Sequence, residues 1–418
     1  MTGGLYRIAT TLADPLAPLI ARLLVRDPRE RNERLGHYGA GPLPARPLWM
    51  HAASAGEMTG VEPVLDEIAR LPEPPPVVLS ATTRTGRARA GRFAQPARVL
   101  FAPADFPGCV KRATNALAPR ALLLMETELW PNLIRVAHDA GFPVAIGNGR
   151  ITARSHGRMK RAAALYREAV SRLAAVGCQT EADAARFREW GAQTDRVFVH
   201  GNTKADQDAP DADSPITRRP GERWILFASV RPGEENAVEE AIAMIAGECP
   251  SARFVVGPRH PDRSPFLRTA RDRGFSRWSE RGQEKGAESK SDNPLPPRIV
   301  LDTIGEQASF FAAMDVAFIG GSIADHGGHN PLEAARVGTP VLFGPHMQNC
   351  RDLADALLAS GGGREVRSGP ELGHAILTLL GNDPDREMMA DGARAMFESN
   401  RGASRRLVHE LVARGVLA

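Results

Sequence analysis

The chain of 418 residues has only four cysteines, Cys109, Cys178, Cys249 and Cys350, and no C-x-x-C pair among them. That spacing offers no disulfide framework and no zinc knuckle, and it fits a reducing compartment. No run of about 18 uncharged apolar residues occurs, so no membrane-spanning helix is expected. The G-x-S-x-G nucleophile elbow, the protein-kinase motif set and the zinc motifs are missing too, which removes several large enzyme classes. One charge sign is missing locally: Arg84, Arg87, Arg89, Arg92 and Arg98 follow one another without an acid between them. From Arg150 to Arg172 seven Lys or Arg are met by one acid, Glu168. Such basic surface suits anionic lipid, an acidic substrate or nucleic acid, or else it is solvated helix face.

What is present is ordinary globular material, 43% hydrophobic and 24% charged with a net charge of +4. The length exceeds one typical core, so two domains are expected. Forty Gly and 33 Pro suit many short strand-to-helix turns. Apolar runs recur at βα spacing: Leu48–Met50, Val77–Ser80, Ala121–Met125, Val144–Ile146, Ala174–Val176 and Val197–Val199, then Trp224–Ala228, Phe254–Val256, Ile299–Leu301, Val316–Ile319 and Val341–Phe343. Periodic helical patterns lie between most of them, which predicts two doubly wound parallel sheets of an α/β protein. The break falls at Asp206–Pro220, rich in Asp and Pro and holding Ser214. Asp211-Ala212-Asp213 in that linker reads as solvated rather than metal-binding, and Glu280–Pro297 reads as a disordered surface loop. The expected division is 1–35, an N-terminal interface segment; 36–206, a first Rossmann-like domain; 207–222, a linker; 223–397, a second such domain; and 398–418, a helix crossing back to the first. Leu5 to Val25 is apolar but broken by Arg7, Asp14, Pro15, Pro18 and Arg22, and Arg26, Arg29, Arg31 and Arg34 follow. It is either a helix lying in a membrane interface or a first core helix.

Ligands of open α/β sheets sit beyond the carboxyl ends of strands, so the residues after each apolar run carry the chemistry. After Val316–Ile319 come two glycine pairs, Gly320-Gly321-Ser322 and Gly327-Gly328, then Asn330 as an expected N-cap, Pro331, Leu332 and Glu333, with Gly338 and Pro340 as the stop. Glycine loop and capped helix can aim N–H groups at a phosphate, with Glu333 on a ribose hydroxyl, or can simply pack a helix on a sheet. The spacing matches neither the dinucleotide fingerprint nor the P-loop. After the first run, Ser54, Ala55 and Gly56 allow a sharp turn, and Glu57 is either a general base or a first-turn carboxylate complementing the helix dipole. Glu126 and Glu128 stand one residue apart at a strand end, placed to orient a sugar or a cation. Lys204 suits an anion, or is a surface lysine. Pro258 and Pro261 hold Arg259 and His260 rigidly, as a phosphate or carboxylate clamp would need. Backbone near Gly305, in Thr303-Ile304-Gly305-Glu306, is placed for a base. His326 and His329 lack a third clear ligand, so no metal site is expected.

Leu48-Trp-Met-His-Ala-Ala-Ser-Ala-Gly-Glu57, Met125-Glu-Thr-Glu-Leu-Trp-Pro-Asn132, Gly201-Asn-Thr-Lys-Ala-Asp206, Pro258-Arg-His-Pro261, Asp302-Thr-Ile-Gly-Glu306, the Gly320 to Glu333 segment and Gly344-Pro-His346 together resemble the 3-deoxy-D-manno-octulosonic acid (Kdo) transferases. They follow that family's order and span most of the chain. The resemblance implies a GT-B glycosyltransferase of the Gram-negative inner membrane, its two Rossmann-like domains facing a central cleft. It implies transfer of Kdo from CMP-Kdo to the tetraacyl disaccharide lipid A precursor, with inversion and with neither metal nor cofactor. The implied roles are Glu57 as base and Glu126 and Lys204 as transition-state stabilisers. Ser54, Gly56 and Glu128 fall on the acceptor side. Pro258, Arg259, His260, Ile304, Gly305, Glu306, Gly321, Ser322, Asn330, Pro331, Leu332 and Glu333 fall on the CMP-Kdo side. The implied partners are donor, acceptor and an anionic membrane surface on the cytoplasmic face, not nucleic acid; oligomeric state stays open. The chain departs from the family where the usual Ser-Thr-His-x-Gly-Glu-Glu reads Ser229-Val-Arg-Pro-Gly-Glu-Glu235. Another GT-B enzyme acting on a UDP-sugar, transferase or epimerase, and a catalytically idle lipid-docking protein are the alternatives.

Overall fold

A computed structural model of the protein describes residues 3–39, 41–207, 214–283 and 295–417. Asp211 to Asp213 and most of the Glu280–Pro297 stretch lie outside the described residues. The chain forms two units, Met1–Asp208 with Asn400–Ala418, and Ala209–Ser399.

In the first unit, β1 (Leu48–His51), β2 (Val77–Ala81), β3 (Arg98–Phe101), β4 (Ala121–Met125), β5 (Val144–Gly149), β6 (Ala175–Cys178) and β7 (Val197–Val199) make a sheet in the order β3-β2-β1-β4-β5-β6-β7. Every pairing is parallel; Leu48 lies between Val77 and Ala121. In the second unit, β8 (Arg223–Val230), β9 (Ala252–Pro258), β10 (Ser276–Arg277), β11 (Arg298–Val300), β12 (Val316–Ile319), β13 (Val341–Phe343) and β14 (Gly363–Glu365) run parallel in the order β10-β11-β9-β8-β12-β13-β14. Strands β1, β2 and β4 are buried at every position, which is why they read as unbroken apolar runs. Sequence reading missed β3, β10 and β14. All three are edge strands, with an Arg or a polar residue where a central strand would need an apolar one.

Each sheet has one place where strand order reverses, between β1 and β4 and between β8 and β12. Loops leaving those neighbouring strands diverge and open a crevice at their carboxyl ends, the site rule for doubly wound sheets.

Three helices precede β1: α1 (Gly3–Ala13), α2 (Ala17–Leu24) and α3 (Pro28–Arg34). Polar groups hold α1 and the turn after it against the rest of the first unit. The Tyr6 hydroxyl donates to Asp105 Oδ2 at 2.9 Å, Asn132 Nδ2 donates to Thr10 Oγ1 at 3.1 Å, and Asp14 accepts from the Gly108 N–H at 3.1 Å. The opposite face carries Leu5, Ile8, Leu12, Leu16, Leu19 and Leu23, all more than half exposed, at helical spacing. No helix among the described residues is long and apolar enough to cross a membrane.

The final helix, Ala403–Ala413, belongs to the first unit. Asp206 accepts from the N–H groups of Gly402 at 2.5 Å and Ser404 at 2.6 Å, satisfying two donors at its start. Leu407 then lies against Gly147 and Gly177, where an added Cβ would come within 3.0 Å and 2.8 Å of its methyls. Side chains at either strand position would push the helix off the sheet.

Candidate active site

The first crevice is built by the loops after β1 and β4. After β1 the chain turns into α4 (Ala55–Ala69), and Ser54 caps it, accepting from the Glu57 N–H at 3.4 Å. Glu57 folds back so that Oε2 accepts from the Ala53 N–H at 2.5 Å and Oε1 from the Ser54 hydroxyl at 3.2 Å. The bonds are reciprocal as in a capping box, except that Glu57 reaches the N–H of Ala53, one residue before the Ser54 cap. The cap fixes the carboxylate at the crevice. Burial pushes it up to about 7, and the charges of Glu126 and Glu128 add to the shift, outweighing the two hydrogen bonds. Gly56 is exposed on the first turn.

After β4, Glu126 takes a left-handed backbone, φ +59, a strain that non-glycine residues seldom accept. Its carboxylate meets Lys204 Nζ at 2.5 Å. Lys204 follows β7 in a single 3-10 turn, Thr203–Asp206, capped by Asn202. Gly60 of α4 admits that turn: a Cβ there would lie 2.6 Å from Thr203 Oγ1 and 3.3 Å from Lys204 Cγ. Glu128 faces His51, the last residue of β1, with 3.7 Å from Oε2 to Nε2, and also accepts from the Trp130 indole. Burial raises the Glu128 carboxyl, but the His51 hydrogen bond and charge and the Trp130 donor outweigh it, leaving it below the usual range. The two crevice carboxylates are thus driven apart, Glu57 toward the protonated form and Glu128 toward the charged one. Glu57, Glu126, Glu128 and Lys204, from three distant segments, belong to one electrostatic cluster. His51, which sequence reading passed over, holds Glu128 in place and is itself fixed by Ser80 Oγ at 3.0 Å.

In the second unit the glycine loop after β12 differs from expectation. Glu234, fully buried after β8, fills it. Its Oε1 accepts from the N–H groups of Ser322 at 2.8 Å and Ile323 at 2.9 Å, and its Oε2 from Gly321 at 2.6 Å and Arg231 at 2.9 Å. The Gly321 and Ser322 N–H groups therefore hold an internal carboxylate and are not open to a phosphate. The signal was the Gly233-Glu234-Glu235 turn, but its partner lies 87 residues away. The second pair packs rather than binds: a Cβ on Gly327 or Gly328 would lie 2.3 Å from Asn349 or Met347. The helix beyond is Leu332–Val337, six residues long, ending at left-handed Gly338 as expected. The helix starts one residue later than expected, with Pro331 and not Asn330 at the cap; Asn330 Oδ1 still accepts from the Leu332 N–H at 3.1 Å, Pro331 and Leu332 are buried, and Glu333 stands exposed on the first turn.

Around that frame stand the other expected donor residues. Pro258 ends β9 and is buried, and Arg259 and His260 after it are exposed. The Arg259 N–H donates to Val230 O at 3.0 Å, tying the β9 and β8 ends together. Ile304 is 84% exposed beside left-handed Gly305, and Glu306 accepts from the Thr303 hydroxyl before the turn Gln307–Phe310. Gln307 Oε1 accepts from the N–H of Ser229, which is left-handed at φ +56, so the end of β8 and the segment after β11 are also linked. Among the described residues no three His, Cys, Asp or Glu side chains gather to hold a metal ion.

Comparison with known proteins decides what this arrangement belongs to. The family model described as 3-Deoxy-D-manno-octulosonic-acid transferase (kdotransferase) matches residues 29–207. A 3-deoxy-D-manno-octulosonic acid transferase of Bordetella pertussis is 34% identical over 98% of this chain and 99% of its own. The chain belongs to the Kdo transferase family. A second relative of that name, from Haemophilus influenzae, is 30% identical over 93% of each chain. The Kdo transferases are glycosyltransferases, and this protein is such an enzyme. Solved structures share its GT-B fold: a putative UDP-N-acetylglucosamine 2-epimerase from Listeria monocytogenes has a TM-score of 0.62 at 14% identity, covering 88% of this chain and 96% of its own. The UDP-GlcNAc 2-epimerase from Neisseria meningitidis, bound to UDP-GlcNAc, has a TM-score of 0.59 at 15% identity, covering 88% and 99%.

Proposed function

We propose that the protein transfers Kdo from CMP-Kdo to the tetraacyl disaccharide precursor of lipid A, inverting the anomeric carbon, with neither metal nor cofactor. One observation carries the reading: Glu57, locked by its cap at a strand-order switch, has its carboxyl pushed up to about 7. A base whose pKa sits near the working pH removes a proton most effectively. The acceptor hydroxyl oxygen bonds to the Kdo anomeric carbon as Glu57 takes its proton. The bond from that carbon to the phosphate oxygen breaks, and its electron pair leaves with CMP. A single displacement of this kind inverts the carbon.

Lys204, ion-paired with Glu126, faces the anionic sugar acid or the charge developing on it. Arg259, with His260 beside it, receives the phosphate negative charge, and Ile304 and Gly305 offer apolar surface and bare backbone to the cytosine. These cations supply what a divalent metal would otherwise supply. The exposed apolar stripe of α1 and α2, flanked by exposed Arg7, Arg22 and Arg26, supports seating on the cytoplasmic face of the inner membrane, where a lipid acceptor resides.

The test is transfer itself. Purified protein incubated with CMP-Kdo and the tetraacyl precursor should yield, by mass spectrometry, the precursor plus one or more Kdo units. Product from UDP-N-acetylglucosamine and none from CMP-Kdo would overturn the proposal.

A further inference from the structure

Arg231 is the residue at which the chain departs from its family's usual imidazole, and its surroundings are unusual. It follows β8 at the strand-order switch, and its Nε is buried without a hydrogen-bond partner. Its side chain lies against Gly321, where an added Cβ would be 3.3 Å from Arg231 Cγ. The His329 ring borders the same position, 3.1 Å from that added Cβ, and its Nε2 is also buried and unpartnered. Neither atom has a partner within the protein, and a ligand bound over Gly321 would supply one. Burial first, then the charges of Arg259 and Arg231, push His329 down to about 4, so it is neutral. The same two guanidiniums, after burial, depress His260. The positive charge of this corner therefore rests on Arg231 and Arg259. Among the described residues no carboxylate pairs with either guanidinium, and Glu234, which accepts from the Arg231 backbone N–H, has both oxygens occupied by backbone N–H groups.

We infer that Arg231 is a donor-binding residue and that, with Arg259, it makes this site select a nucleotide-sugar carrying two anionic groups, a phosphodiester and a sugar carboxylate. The inference rests on the donor reading above and deepens it. A phosphodiester brings one negative charge, enough for one guanidinium. The second is matched by a carboxylate, which guanidinium geometry also suits. A neutral sugar would leave the Arg231 Nε without a partner.

The test uses the full chain with Arg231→Ala, Arg231→His and Arg259→Ala. Calorimetry compares CMP-Kdo with the methyl ester of CMP, which keeps the monoanionic phosphodiester and lacks the carboxylate. Arg231→Ala should weaken CMP-Kdo about tenfold or more, the effect of losing one charge-assisted contact. The methyl ester should change by less than about threefold on the same scale. Arg231→His should recover part of the loss, and Arg259→Ala should weaken both ligands. Equal losses for both ligands in Arg231→Ala would make Arg231 a phosphate contact and sink the two-anion claim; no loss for either would place it outside the site. If the wild type binds neither CMP ligand, the donor reading fails, and pyrophosphate decides the rest. It should then raise the thermal midpoint of wild type more than that of Arg231→Ala, and equal or absent protection would refute the anion site as well.

Discussion

On the proposed reading, Glu57 joins two tasks, capping a helix and removing a proton. The capping box needs a carboxylate folded back on the helix start, and that fold-back holds the same carboxylate at the crevice beside two other acids. Glu57→Gln keeps the shape and the acceptor oxygen for the Ala53 N–H. It should lower transfer by roughly 10²–10⁴ while the fold survives, measured by product formation and circular dichroism. Near-normal transfer by a folded variant would refute the base assignment. Lys204 is the second test at this scale. Lys204→Met removes the cation 2.5 Å from Glu126 and should slow turnover by at least about tenfold. Unchanged turnover in a folded Lys204→Met protein would limit the pair to a structural role.

The elements bring these residues together through close approaches that only small side chains permit. The turn bearing Lys204 fits against α4 because position 60 is glycine. Gly60→Ala should displace that turn, destabilise the protein by about 1–3 kcal/mol and lower activity with it, read as a fall in thermal midpoint and in turnover. Central strands, buried on both faces, were legible as apolar runs, and so were the loops after them, because small and charged residues cluster there. What local spacing could not show was long-range pairing. The Gly320-Gly321-Ser322 loop looks like a phosphate cradle until Glu234 is seen inside it. Likewise the acid-free arginine stretch looked like free basic surface, yet Arg84 reaches Glu30 at 2.7 Å and Arg87 reaches Glu33 at 3.4 Å, both glutamates buried. Arg34, expected among the basic residues after the apolar segment, turns inward to the same Glu30 at 2.9 Å. The edge strands were illegible for a different reason: one-sided pairing asks less of their composition.

For the molecule as a whole, the α1–α2 stripe and the net charge of +4 bear on where it works. Exposed Arg22 and Arg26 beside the stripe should each contribute about 1 kcal/mol to binding anionic vesicles when close to the surface. High salt should therefore release part of the bound protein, and Leu12→Glu with Leu23→Glu should release more, in a vesicle sedimentation assay. Binding that survives salt and carbonate washes unchanged would contradict an interfacial seat. Transfer should also persist in excess EDTA, since guanidinium and ammonium groups meet the leaving charge; strict dependence on added magnesium would contradict that. The most direct measurement is the pH dependence of kcat/KM for CMP-Kdo. A base must be deprotonated to act, and Glu57 has its carboxyl raised to about 7, so the rate should climb as pH rises through that value and level off above it. In Glu57→Gln the residual rate should lose that limb. A wild-type profile flat from pH 5 to pH 9, or a limb that survives in Glu57→Gln, would contradict the account.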